Sequence, residues 1–151
     1  MRVKKPRAFS GLLMCLLVLS LVLATCDMGG GGPAFTLTEF ILLSSADAEA
    51  GNWNPRTFFY AEESIGFGIR GRDPDLALAK FVYTLKRDDG SVVLGPTDIV
   101  ISSSNTNESF RWYCWNYITV GTRIANYTVE LYAVDVYGNK SNTRSAKFSV
   151  R

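Results

Sequence analysis

From position 35 to the C-terminus, apolar and polar residues alternate with a period of two in short runs separated by turn residues. Nowhere does a 3.6-residue period persist beyond a turn or two. A first strand is expected over 35–43, a loop over 51–55, and strand residues around 58–60. In the next strand Ile65, Phe67 and Ile69 alternate with Ser64, Gly66, Gly68 and Arg70, so the first set faces a core. After a turn at Asp73-Pro74-Asp75, Phe81, Tyr83 and Leu85 line the inner face of a further strand. Asp89-Gly90 is then expected to supply the positive-φ residues of a tight hairpin leading into 91–94. Beyond Gly95-Pro96 come a short strand at 98–102 and a longer one at 110–120. The strand over 127–136 carries Tyr127, Val129, Leu131 and Ala133 on one face. A turn at Gly138-Asn139 precedes a last strand, in which Ala146, Phe148 and Val150 share a face. Seven or eight short strands at this spacing predict an all-β fold, a single antiparallel β-sandwich. The 118 residues of 34–151 are the size of one domain.

The first 33 residues follow a different pattern. A basic stretch (Arg2, Lys4, Lys5, Arg7) precedes an apolar run over 12–24 broken only by Ser20, and small residues lead to Cys26. Thirteen residues are too few to span a bilayer core, which takes about 20, so an export signal over 1–25 is expected; an uncleaved anchor is the alternative. Leu23-Ala24-Thr25-Cys26 resembles the lipobox of bacterial lipoproteins. That resemblance implies lipidation of Cys26 with fatty acyl chains of the palmitate type, cleavage before it, and a domain held outside the cytoplasm in the cell envelope. Thr25 departs from the usual Gly, Ala or Ser. The small buried Cys of an ordinary secretory signal is the other reading of position 26. Residues 26–33 then form a tether, since four consecutive Gly (29–32) cannot sit inside a helix or strand at acceptable entropy.

The strand at 127–136 holds a second resemblance. Tyr127 enters the strand after a turn, two positions before inward Val129, which is similar to the tyrosine corner of immunoglobulin-like domains. The stretch 131–141 resembles the final hairpin of bacterial immunoglobulin-like and fibronectin type III-like modules. The domain over 34–151 is therefore expected to be immunoglobulin-like, with the phenol hydroxyl tied to upstream backbone. The buried Trp of the third strand is replaced by Phe81 or Tyr83, and no Cys pair bridges the sheets.

Composition narrows the chemistry. The chain has no His, which excludes Ser-His-Asp and Cys-His catalysis and imidazole metal sites. The formal charge of +2 is uneven: all four basic residues before position 26 lie in the leader, leaving twelve basic against fourteen acidic residues beyond it. A faintly acidic body is a poor nucleic-acid binder. Once the leader is removed and Cys26 lipidated, Cys114 is alone and is expected to be a buried apolar filler.

The densest aromatic run is Phe110-Arg111-Trp112-Tyr113-Cys114-Trp115-Asn116-Tyr117. If Phe110, Trp112 and Cys114 point inward, Tyr113, Trp115 and Tyr117 lie outside beside Arg111, as a ligand-binding strip that stacks on sugars or anchors a protein. A covering loop, such as the one carrying Trp53, would hide that face. Glu62 and Glu63 are adjacent carboxylates whose side chains diverge, better read as a solvated turn than an acid/base pair. Asp73, Asp75 and Asp135 carry oxygens that a Ca²⁺ needs, but they also suit ordinary turns. The expectation is a non-catalytic binding or assembly module for a protein or glycan, held on a membrane through its lipid, with no cofactor and no metal. The alternative is a small carbohydrate-active or hydrolytic accessory unit using Glu62, Glu63 and the aromatic strip.

Overall fold

The computed structural model describes residues 35–101 and 107–151, except for the side chains of residues 116 and 117. The expected export signal over 1–25, Cys26 and the expected tether of 26–33 lie outside the described residues. Among the described residues, eight strands and one short helix follow in the order β1 (Thr36–Ser44), α1 (Ser45–Ala50), β2 (Phe58–Phe59), β3 (Ser64–Arg72), β4 (Leu78–Arg87), β5 (Val92–Val100), β6 (Ser109–Thr119), β7 (Asn126–Asp135) and β8 (Arg144–Val150). They form two sheets, β1-β3-β6 and β2-β8-β7-β4-β5. All neighbours are antiparallel except β2, which runs parallel to β8. β1 and β2 act as one interrupted first strand, beginning in the small sheet and ending on the edge of the large one. The chain then crosses between sheets after β2, β3, β5 and β6, the Greek-key order of an immunoglobulin-like sandwich.

The alternation expected from the sequence sets the inner faces. Ile65, Phe67 and Ile69 from β3, Phe81, Tyr83 and Leu85 from β4, and Tyr127, Val129, Leu131 and Ala133 from β7 are all buried. Phe67 is the centre of an edge-to-face series, its ring 5.4 Å from Phe40 and 5.4 Å from Tyr83. Tyr83 thus helps to fill the space that a Trp takes in many such domains. Phe110 and Cys114 of β6 point inward, and Trp112 is partly buried against the same core. At the entrance of β7, the Tyr127 hydroxyl donates to the Arg123 carbonyl at 3.1 Å, closing the expected corner, and its ring stacks on Phe148 at 5.3 Å.

Three local features depart from the sequence reading. The helix α1 was not expected. Ser44 caps it, accepting from the Asp47 amide at 3.0 Å and donating to the Asp47 carboxylate at 2.7 Å, and Gly51 ends it in the left-handed region at φ 70°. β5 is one strand through Gly95-Pro96 rather than two, because it lies on a sheet edge, where a proline lacking its N–H is tolerated. Gly95 and Pro96 together face Thr84 there, a β-bulge. In the β4–β5 hairpin only Gly90 has positive φ, at 80°. Gly90 donates to the Arg87 carbonyl and Arg87 to that of Ser91, so the loop is the three-residue kind in place of a two-residue turn.

The start of β1 lies at one end of the sandwich, together with the β3–β4 and β7–β8 loops and the end of β5. The seam between the sheets is closed there by a side chain. Asn142 accepts from the Leu37 amide at 2.7 Å and donates to the Leu37 carbonyl at 3.0 Å, standing in for a paired strand, and Arg144 donates to the same carbonyl.

Candidate functional site

The outer face of the β1-β3-β6 sheet gathers most of the predicted strip. Register places Glu39, Arg70 and Arg111 in one row across the three strands. Two neighbouring guanidinium groups repel, and the row is held by what lies around it. The Glu39 carboxylate accepts from Arg70 Nη1 at 2.9 Å and from Trp53 Nε1 at 3.2 Å. The Trp53 ring lies under both cations, 4.0 Å from Arg70 Cζ and 4.5 Å from Arg111 Cζ, so its π face offsets part of their repulsion. Trp53 in turn meets Tyr113 edge-on at 5.6 Å.

Glycine makes this seat. A Cβ on Gly68 would come within 2.9 Å of the Trp53 ring and 2.8 Å of Ile41, so only a bare backbone lets the indole settle on the sheet. One step along β3, a Cβ on Gly66 would fall 2.4 Å from Ala48 of α1. The segment between β1 and β2 therefore covers this face: α1 rests on Gly66 and the following loop delivers Trp53 onto Gly68.

Of the four predicted ligand-binding residues, Arg111 is exposed but stacked, and Tyr113 is partly covered by Trp53. Trp115 is 50% exposed, at the start of a bulge where three β6 residues pass a single β3 residue, Gly66. The side chain of Tyr117 lies outside the described residues. The face is thus a covered Arg-Trp-Arg-Tyr cluster with one open indole beside it, not a continuous aromatic strip. Sequence reasoning left out Glu39, Arg70 and the glycine seat, which only strand register brings together.

The carboxylate candidates are occupied by their own loops. Glu63 forms an ion pair with Arg56 and accepts from the Tyr60 amide at 2.9 Å, while Arg56 lies over the Phe59 ring at 4.9 Å. Glu62 stands in the left-handed region at φ 66° and is exposed. Asp73 is buried and accepts from the amides of Ala77 at 3.1 Å and Leu78 at 2.8 Å, which ties down the β3–β4 loop. Asp135 accepts from the amides of Tyr137 and Asn139 and from the Asn139 side chain. Slight burial pushes its carboxyl upward, but these donors together hold it below its ordinary value of 3.8. Among the described residues no three His, Cys, Asp or Glu side chains come together in a way that suits a metal ion. Cys114 is 2% exposed, and burial pushes its thiol up to about 12.

At the end opposite the β1 entrance, a cavity of about 250 Å³ opens between the sheets, with Leu85, Ile118, Tyr127 and Phe148 among its walls and Arg87 and Arg123 beside it. It falls below the roughly 300–1,000 Å³ typical of ligand clefts. No described helix is long and apolar enough to cross a membrane.

No protein-family model matches the sequence, and no curated protein matches it. Among solved structures, a Niemann-Pick type C2 protein from the Japanese carpenter ant is similar at a TM-score of 0.46 and 6% identity. The similarity covers 80% of this chain and 96% of that one.

Proposed function

We propose that the chain is a bacterial lipoprotein anchored to a membrane through Cys26, whose sandwich is a non-catalytic binding or assembly module outside the cytoplasm. The observation that carries the binding role is the exposed Trp115 beside the stacked Arg111–Trp53–Tyr113 cluster. Trp, Tyr and Arg are the side chains in which interface energy concentrates, and here three of the four are already immobilised by one another. A partner meeting this face orders little beyond Trp115, which lowers the entropic cost of association. The face offers one open indole beside a covered cluster, which suits a protein better than a small molecule that needs enclosure; a glycan stacking on Trp115 is the second ligand class. The accessory-hydrolase reading draws less support, because Glu63 is paired with Arg56 and tied to the Tyr60 amide of its own loop.

Two measurements test the proposal. Mass spectrometry of the membrane-extracted protein is expected to give a mature species that begins at Cys26 with added acyl mass; an intact chain beginning at Met1 refutes the anchor. A photo-crosslinking residue at position 115 is expected to give discrete adducts in cells, whose masses distinguish protein from glycan. Adducts at 115 no more abundant than those at the control position Lys147 remove the binding face.

A further inference from the structure

Several large apolar side chains are exposed at the end of the sandwich where β1 begins. Leu76 in the β3–β4 loop is 45% exposed, Val100 at the end of β5 74%, and Val136 and Tyr137 in the β7–β8 loop 65% and 79%. They are held at one end by the backbone. The Val136 amide donates to the Ala77 carbonyl at 2.8 Å, and Lys80 pairs with both Val100 and Val134. Neither loop is slack. The buried Asp73 carboxylate fixes the first, and the second folds around Asp135. Leu76 is held at φ 53°, a left-handed conformation unfavourable for a residue with a Cβ. The loop thus keeps a strained leucine that faces outward, where a glycine or asparagine would be easier to accommodate.

We infer that Leu76, Val136 and Tyr137 of the two loops, with Val100 at the end of β5, dip into the interfacial layer of the bilayer to which the chain is attached. The inference rests on the proposed anchor at Cys26. Eight residues, 27–34, separate Cys26 from Phe35, and at most about 3.6 Å per residue lets them span about 30 Å. The root-mean-square reach of such a Gly-rich coil is nearer 16 Å. β1 therefore starts close to the lipid surface, and the loops beside its start face that surface at high effective concentration. Tyrosine is among the side chains that settle at the headgroup level, with leucine and valine just beneath it. Arg72 pairs with Glu108 and Lys80 with Asp98, and Asp75 and Asp135, which flank Leu76 and Val136, offset Lys140 and Arg144, so this end carries no net positive charge for anionic lipid to attract. The contact is therefore apolar, insensitive to salt and independent of anionic lipid. It fixes the orientation of the sandwich and turns the Trp115 face sideways, away from the lipid.

The test uses the acylated full-length mature protein in phosphatidylcholine vesicles. Cys114 is buried and unreactive and Cys26 is acylated, so Tyr137→Cys offers one thiol for an environment-sensitive fluorophore. Ile124→Cys, in the exposed loop before β7 at the opposite end, is the control. Spin-labelled lipid is expected to quench the probe at 137 several-fold more than the probe at 124, equally in low and high salt and with or without anionic lipid. Leu76→Ser with Val136→Ser is expected to reduce quenching at 137 to the level at 124, which excludes insertion by the fluorophore itself. Protein that floats with the vesicles yet shows equal quenching at both positions overturns this inference and leaves the anchor standing. Quenching at 137 that needs anionic lipid, or that survives the double substitution, also overturns it. Protein that fails to float overturns both.

Discussion

At the residue scale, two small side chains decide what their surroundings can be. Gly68 is the seat of Trp53, and Gly68→Ala drives a methyl group into the indole and into Ile41. The expected result is loss of the Trp53 Nε1 to Glu39 hydrogen bond, seen as a shifted and faster-exchanging indole N–H resonance. A fall in stability of about 1–3 kcal/mol accompanies it, as is usual for overpacking. An unchanged indole signal refutes the seat. Cys114 makes the opposite statement, since burial gives it an inert thiol. It is the sole cysteine of the segment 34–151. That segment is expected to be untouched by thiol reagents when native and to react once per chain in denaturant; prompt native labelling refutes a buried position.

At the scale of elements, the terminal residues matter most. Ser44→Ala removes the cap of α1 and is expected to cost about 1 kcal/mol, with faster amide exchange confined to the segment after β1. Asn142→Ala leaves the Leu37 amide without its side-chain acceptor, while the Leu37 carbonyl keeps Arg144 as a donor, at an expected cost of about 1–3 kcal/mol, with faster exchange along β1. Equal exchange in variant and parent overturns either account. These elements also separate what the sequence discloses from what it hides. β3, β4, β7 and β8 were legible because one face of each meets a core and the other does not, so burial is written as alternation. The tyrosine corner was legible because its residues are sequence neighbours. The helix was not, for its six residues are small or acidic and carry no apolar stripe; the only signal was Ser44, Asp47 and Gly51 at capping positions. β5 was misread because Gly95-Pro96 signals a turn unless the strand is known to lie on an edge. The cover by the loop carrying Trp53 was legible as one of two readings of the aromatic run, but its partners were out of reach, since Glu39, Arg70 and Arg111 align only once register across three strands is known.

For the whole molecule, pH acts through carboxylates that organise loops. Ser44 first, then Asn54, holds Asp47 below its ordinary value of 3.8; Ser91 does the same for Asp89 through its side chain and amide. Asp135 is lowered as well, the loop amides outweighing burial. A carboxyl whose folded pKa is depressed stabilises above the unfolded value, and that contribution is lost as pH falls through the folded one. Thermal stability is therefore expected to be flat near neutrality and to decline below about pH 3.8 as these groups take up protons. The decline is expected to be shallower in Asp47→Asn and Asp135→Asn, whose baselines are already lower. A decline centred near pH 6 contradicts this assignment.

The division of the first strand between two sheets has a mechanical consequence for a tethered protein. β1 leaves its entry point running lengthwise through the small sheet, hydrogen-bonded to β3 from Thr36 to Ser44. Under the proposed anchor, a pull from lipid to a bound partner would act along that strand, so its cross-links would share the load in shear instead of parting one after another. The clasp of Asn142 on Leu37 carries the first of the strain, and the fold resists extension most strongly along the axis on which its attachment would tug.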